Sequence, residues 1–274
     1  MKKSIVLCAD DYGQVPAISR GIISLIKQSR LSAASCMVNT SWWSEHAVWL
    51  APYQGKINIG LHFNLTEGMA LSSEYQQAYG AAFMPLSRLL WKAALRKLDR
   101  KIIEAECHAQ IDRFEHALGF LPVFLDGHQH IHQFPVIREA VINVYRQRLE
   151  ARNTYIRLVT VRFRLGDVIG NVKKIIIHVA GTQAFRELLE KHKIKYNQTF
   201  NGIYSFAHAN RYPLLFPRFL AEIGDRGIIM CHPGLESPQT DDLIADARYA
   251  EYQYLAGERF VMDCERAGVR LSTM

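Results

Sequence analysis

An α/β fold on a mainly parallel sheet is what this 274-residue sequence predicts, and two observations carry the prediction. Apolar runs of strand length alternate with longer stretches of helical periodicity. Ionisable residues, which a core excludes, collect where those runs end. Alternating β and α segments argue for parallel strands joined by helical crossovers, in a sheet that is open or closed. With 49% hydrophobic residues the chain can bury a full core, and one barrel-type domain is as natural a use of its length as two smaller ones. No internal repeat, low-complexity tract or Ser/Gly/Pro linker marks a boundary, so one continuous domain over 1–274 is expected.

The first strand, Ile5 to Ala9, closes on Asp10-Asp11 and the turn Tyr12-Gly13. A helix near Ala17 to Lys27 follows. Ala33 to Val38 reads as the second strand, ended by Asn39, and Ile57 to Leu61 as the third, ended by His62. After a helix at Lys101 to Leu118 comes the short run Val123 to Leu125, followed at once by Asp126 and His128. Helix Val136 to Leu149, strand Tyr155 to Leu158 and helices at Ala184 to His192 and Leu214 to Ile223 lead to a last strand, Gly227 to Cys231, which ends on His232. Ala245 to Ala267 reads as a C-terminal helix. In α/β barrels and open sheets alike the carboxyl ends of the strands converge on one face, where ligand and catalytic groups gather. Residues far apart in sequence should therefore meet around one pocket.

Composition narrows the classes of function. No stretch approaches the roughly 18 uninterrupted apolar residues of a membrane span. Met1-Lys2-Lys3 runs straight into a core strand, without the apolar region and cleavage site of a signal peptide, so a cytoplasmic location is expected. The five cysteines, Cys8, Cys36, Cys107, Cys231 and Cys264, have no C-x-x-C pairing and read as buried free thiols. The formal charge of +7 bears on solubility and association before it bears on function. Much of it lies in Arg88, Lys92, Arg96 and Arg100, four residues apart, with Lys97, Lys101 and Trp91 among them. On a helix these make one cationic stripe over residues 88–101, read as a solvated face with a membrane-surface contact as the minority alternative. No RNA or DNA motif is present, so nucleic acid is not an expected partner.

Asp10-Asp11 offers two carboxylates at a turn. Adjacent residues of a strand point to opposite sides, so one acid can bind a cation while its neighbour handles protons. His62 stands in Gly60-Leu61-His62-Phe63-Asn64-Leu65-Thr66-Glu67-Gly68; a lone strand-end imidazole is more often a hydrogen-bonded structural group than a ligand. Asp126-Gly127-His128-Gln129-His130-Ile131-His132 is a stronger signal, because three imidazoles at alternate positions can aim at one side of an extended segment. Not all three need be ligands, since a catalytic ion keeps open positions for water and substrate. Met230-Cys231-His232-Pro233-Gly234 sets a further imidazole in a constrained turn, where it suits a proton donor.

In order along the chain, Cys8 to Gly13, Ser35 to Asn39, Gly60 to Thr66, Asp126 to His132 and Met230 to Pro233 resemble the successive motifs of the YdjC-like carbohydrate deacetylases, a group that includes chito-oligosaccharide deacetylase. Arg248-Tyr249, Glu251-Tyr252 and Leu255 are similar to that family's C-terminal helix. The resemblance implies a distorted TIM-like (β/α) barrel related to polysaccharide deacetylases. It also implies a divalent ion, magnesium, held by a strand-end Asp and two His. Carried over residue by residue, these are Asp11, His62 and His128. Cys8, Tyr12 and Gly127 stand where the family commonly has Asn, Phe and Ser, and none of these departures removes a charged or ligating group. Family members are often homodimers, although the sequence itself supplies no argument for one.

The implied reaction is hydrolysis of an N-acetylated amino sugar or oligosaccharide to acetate and a free amine. Such a reaction needs a sharpened nucleophile, a stabilised oxyanion and a protonated leaving nitrogen. The ion on Asp11, His62 and His128 is expected to serve the first two, with Asp10 taking the proton of the attacking water and His232 protonating the nitrogen. Asp126 is expected to orient an imidazole, and Arg157 to hold Asp10 or a substrate oxygen. His130, His132 and Asn64 are read as pocket or supporting residues without a fixed role. Two imidazoles and one carboxylate suit zinc at least as well as magnesium. The alternatives are a metal phosphoesterase and a non-catalytic sugar-binding barrel, the latter disfavoured by the presence of Asp10 and His232. Segments 71–101 and 162–195 match no motif and are expected to shape substrate choice.

Overall fold

The eight strands of the computed structural model, which describes residues 2–160, 181–237 and 242–274, pair in parallel throughout. They are β1 (Lys3–Tyr12), β2 (Ala33–Cys36), β3 (Asn58–Phe63), β4 (Phe124–Gly127), β5 (Tyr155–Ile156), β6 (Phe200–Asn201), β7 (Ile228–Cys231) and β8 (Val269–Leu271). Their order is β5-β4-β3-β2-β1-β7-β6, with β8 beside the start of β1. Tyr196 bridges to Ile156 of β5, and Phe200 and Asn201 then pair with β7, so one short segment touches both edges of the sheet. The sheet curls into an incomplete barrel, the expected α/β plan.

Side-chain alternation divides the apolar residues between two layers. Ile5, Leu7 and Ala9 of β1 belong to the large cluster packed among the helices. Val6 and Cys8 instead join Ala33, Phe124, Tyr155, Phe200, Ile228 and Met230, a second group that plugs the barrel interior. Gly60 makes room for the plug, since a Cβ there would lie 2.5 Å from the Phe124 ring. The polar residues that follow each strand sit on top of this plug.

The helices are α1 (Pro16–Lys27), α2 (Trp43–Leu50), α3 (Ser73–Tyr79), α4 (Leu86–Ala94), α5 (Arg100–Leu118), α6 (Ile137–Arg148), α7 (Thr182–Lys191), α8 (Tyr212–Glu222), α9 (Ala245–Ala256) and α10 (Glu258–Arg266). Helix α1 starts on Pro16, whose fixed φ suits a first turn, and buries Ile18, Ile22, Leu25 and Ile26. Helix α5 is capped by Asp99, which accepts the Lys101 N–H at 2.8 Å, and stops at Gly119 in the left-handed region.

Several expectations change. The predicted C-terminal helix is two helices, broken at the extended Gly257. The cationic stripe does not form: α4 ends at Ala94, Arg96 takes φ 51°, and α5 begins only at Arg100. Its charges are engaged locally, Arg96 with Glu139 at 3.4 Å, Arg100 with Glu104 at 3.1 Å, and Lys97 over Trp91 at 4.7 Å from the ring centre. No helix among the described residues is long and apolar enough to cross a membrane. Segment 71–101 carries α3, which sequence periodicity did not reveal, and α4, which overlaps the helix read over 88–101. Of segment 162–195, residues 162–180 lie outside the described residues, and α7 follows them.

Candidate active site

The carboxyl ends of the strands surround a cavity of about 700 Å³ lined by Asp10, Asp11, His62, His128, His130 and His232, together with Glu67 and Arg248. A second, larger cleft of about 1210 Å³ lies at the amino ends of the strands, and no imidazole lines it.

Both acids of the Asp10-Asp11 pair face the first cavity, contrary to the alternation expected of a regular strand. The cause is a bulge. Pairing with β2 runs Ala9 to Ala34 and then Tyr12 to Cys36, so β1 holds one extra residue, and Asp11 absorbs it at φ 65°. A non-glycine residue held in the left-handed region by its surroundings marks a site where geometry outweighs local preference.

Asp11 is the centre of the group. Its Oδ1 lies 3.2 Å from His62 Nε2 and 3.0 Å from His128 Nδ1, and its Oδ2 lies 2.8 Å from Arg248 Nη2. Burial works against its charge, but Arg248 and His128 hold its carboxyl well below the usual range. On the far side of His62, Nδ1 donates to Asp126 Oδ1 at 2.6 Å, and Ser35 Oγ donates to the same oxygen at 2.6 Å. Burial alone would strip the proton from His62; Asp126, Asp10 and Asp11 overcome it and push its pKa up to about 10. His128 is raised in the same way, against burial, by Asp11 and Glu67. The carboxylates thus create a buried field that selects positive charge, whether as ring protons or as a metal ion.

Ligand atoms of Asp11, His62 and His128 lie within 4.8 Å of one another, close enough to share one ion, and all three residues are buried. A neighbouring group, Cys8, Asp10 and Asp126, is as tightly clustered but already holds a cation. Arg157 donates Nη1 to Asp10 Oδ2 at 2.7 Å and Nη2 to Asp10 Oδ1 at 2.8 Å, and pairs with Asp126 Oδ2 at 2.7 Å. Its guanidinium sits about equally far from the Phe124 and Phe200 rings, with no exposed surface of its own. Of the two options the sequence left for Arg157, the structure has it on Asp10 and out of reach of a ligand in the cavity.

The three imidazoles of the 128–132 segment diverge, because the segment is not extended. Gln129 and His130 both take positive φ, and the chain turns through short 3-10 geometry from His128 to Gln133. His128 faces Asp11. His130 lines the cavity, edge-on to Phe200. His132 turns into the protein, 2.8 Å from the Arg157 carbonyl, and burial pushes its pKa down to about 4, which keeps the ring neutral. Gly127 permits that packing, since a Cβ there would come within 2.9 Å of His132. Asn64 does not line the cavity; its Oδ1 accepts the N–H groups of Thr66 and Glu67 and its Nδ2 donates to the Glu67 carbonyl. His232, just past the end of β7 beside β1, lines the same cavity; its ring is edge-on to Phe206 and its backbone N–H donates to the buried Glu251 carboxylate at 2.6 Å.

Sequence reading missed Glu67, Arg248, Gln14 and Glu251. Glu67 enters that reading only as part of the 60–68 segment, and Arg248 and Glu251 only within the stretch similar to the family's C-terminal helix, with no role at the site. Only the docking of the first turns of α9 against the strand ends turns both of them inward, where both are buried.

A profile of the YdjC-like protein family matches residues 4–266. Over 150 residues the chain is 31% identical to the carbohydrate deacetylase of Danio rerio, a match covering 52% of this chain and 46% of that protein. Over 149 residues it is 30% identical to the chitooligosaccharide deacetylase of Yersinia pestis (strain Pestoides F), covering 54% of this chain and 58% of that protein. The matched stretch thus spans about half the length of these curated relatives. A crystal structure of an Enterococcus faecalis V583 protein, named for cellobiose-phosphate cleavage, shares the fold with a TM-score of 0.77 at 18% identity, over 100% of this chain and 98% of that one.

Proposed function

The chain belongs to the YdjC-like protein family, and from that membership we propose that it is a metal-dependent hydrolase that removes the acetyl group of an N-acetylated amino sugar or oligosaccharide. The observation that carries this reading is the meeting of three kinds of group in one cavity: the Asp11, His62 and His128 cluster, a second buried carboxylate at Asp10, and the His232 ring. The names of the curated relatives, carbohydrate deacetylase and chitooligosaccharide deacetylase, support the substrate class.

Asp11, His62 and His128 would hold the ion. Two nitrogens and one oxygen favour zinc or another late divalent metal over magnesium, which prefers oxygen donors. A divalent ion there supplies Lewis acidity, polarising an acyl oxygen and lowering the pKa of water. Asp10 receives the proton of the attacking water. Both of its oxygens are fixed by the planar fork of Arg157, so the carboxylate keeps one orientation through the cycle. His232, at the end of the neighbouring strand β7, gives a proton to the departing nitrogen, without which an amide anion would have to leave. Asp126 keeps the His62 ring oriented by accepting from Nδ1, so that Nε2 faces Asp11. The chain acts as one unit over 1–274, and five cysteines without a disulfide suit a reducing cytoplasm.

The test is acetate release from a panel of N-acetylated mono- and oligosaccharides, with and without chelator. The expected result is acetate and a free amine from at least one sugar, abolished by chelation and restored by zinc, manganese or cobalt. Acetate release that chelation leaves intact overturns the metal site; phosphate release from generic esters, without deacetylation, overturns the reaction.

A further inference from the structure

Resting on that assignment of the metal ligands, we infer that Glu67 is a positioning residue which, through a closed ring of five side chains, fixes how His128 is presented to the ion. Starting at Asp11, Oδ1 meets His128 Nδ1 at 3.0 Å, and the other ring nitrogen, Nε2, meets Glu67 Oε1 at 2.8 Å. Glu67 Oε2 accepts from Gln14 Nε2 at 2.7 Å, and Gln14 Oε1 accepts from Arg248 Nη2 at 3.1 Å. Arg248 Nη2 then returns to Asp11, 2.8 Å from Oδ2. Two ion ligands are thus joined twice, once directly and once through Arg248, Gln14 and Glu67.

His128 needs such an anchor. It starts a tight turn in which the next two residues hold positive φ, so no regular strand neighbour fixes its ring. A carboxylate on Nε2 does two things: it keeps the proton on that nitrogen, and it leaves Nδ1 as the one able to bind a cation. Of the contacts that close the ring, an ion held by Asp11 and His128 would replace only the direct one between them, and the links through Glu67, Gln14 and Arg248 would remain.

The loop that carries Glu67 is built to hold it. Asn64 accepts the Glu67 N–H at 3.2 Å, and Asn39 Nδ2 donates to the Glu67 carbonyl at 2.9 Å. Gln110 of α5 bonds the Asn64 backbone on both sides, donating to its carbonyl at 2.7 Å and accepting its N–H at 3.1 Å. A loop anchored at so many points presents one carboxylate in one place.

The experiment measures zinc and cobalt affinity by calorimetry for Glu67→Ala, Glu67→Gln and His62→Ala, alongside the thermal midpoint of each metal-free protein. Removing a carboxylate that supports a ligand imidazole weakens metal binding by about 10–100-fold. Glu67→Ala is expected to show that loss, with the metal-free midpoint unchanged and the cobalt absorption spectrum of the loaded protein retaining its shape. Glu67→Gln keeps an oxygen able to accept from Nε2 and is expected to recover most of the affinity. An affinity for Glu67→Ala within twofold of wild type overturns the inference. So does equal loss in both Glu67 variants with an altered cobalt spectrum, because Glu67 would then be a ligand itself. If His62→Ala also binds metal normally, it is the site assignment that fails; if His62→Ala loses binding and Glu67→Ala does not, only the positioning role does.

Discussion

Acidification should release the ion before it unfolds the protein. Each imidazole must be neutral to bind a metal, so binding displaces whatever proton the ring carries. His62 is buried, and three carboxylates lift its pKa to about 10, so throughout the neutral range it carries a proton that an incoming ion must expel. His128, raised by Asp11 and Glu67, adds to the cost in the same direction. For each displaced proton, one unit of acidification below the pKa costs about 1.36 kcal/mol, a tenfold loss of affinity. Lowering the pH from about 8.5 to about 6.5 should therefore weaken binding at least ~100-fold, and more if His128 also loses a proton. Calorimetric titration with zinc or cobalt at several pH values, in two buffers of different ionisation enthalpy, gives both the dissociation constant and the number of protons released. An affinity that is flat across this range, with no proton release, would refute the assignment of His62 as a ligand. Without metal the sign reverses: a raised folded-state pKa stabilises the protein fully below the unfolded value and ceases to do so as pH rises through about 10.

Three further outcomes follow from the geometry. Asp10→Asn should lower kcat by about 10²–10⁴-fold while metal content by elemental analysis stays at wild-type level, because the residue handles a proton without binding the ion; a variant that loses its metal as well would place Asp10 among the ligands. His232→Ala should lose activity by a similar factor of about 10²–10⁴ on N-acetyl sugars yet retain much of it on an activated aryl acetate, whose leaving group needs no proton; equal loss on both substrates would count against a proton donor. Arg157→Met should leave Asp10 and Asp126 buried without their shared cation, and breaking one partner out of such a cluster costs about 3–5 kcal/mol. Urea denaturation showing a loss under about 1 kcal/mol would mean that the carboxylates find other partners or water.

The α/β plan and part of the candidate site were legible in the sequence. Apolar periodicity and strand-end punctuation are local properties, so the main strands and the positions of Asp10, Asp11, His62, Asp126, His128 and His232 at their carboxyl ends could be read from neighbours in the chain. The two-residue strand β6 left little local signal, since long-range pairing alone holds it. The break at Arg96 that divides the basic stripe also escaped periodicity.

What only the tertiary structure decided was direction and partnership. The bulge at Asp11 turns two adjacent acids into one cavity, and the turn after His128 sends three alternate imidazoles three different ways. Glu67, Gln14 and Arg248 enter the site from a loop, the approach to α1 and the first turn of α9, with Gln14 and Arg248 separated by 234 positions in the sequence. Their roles depend on distances of about 3 Å across the barrel mouth, which packing sets and no local preference encodes.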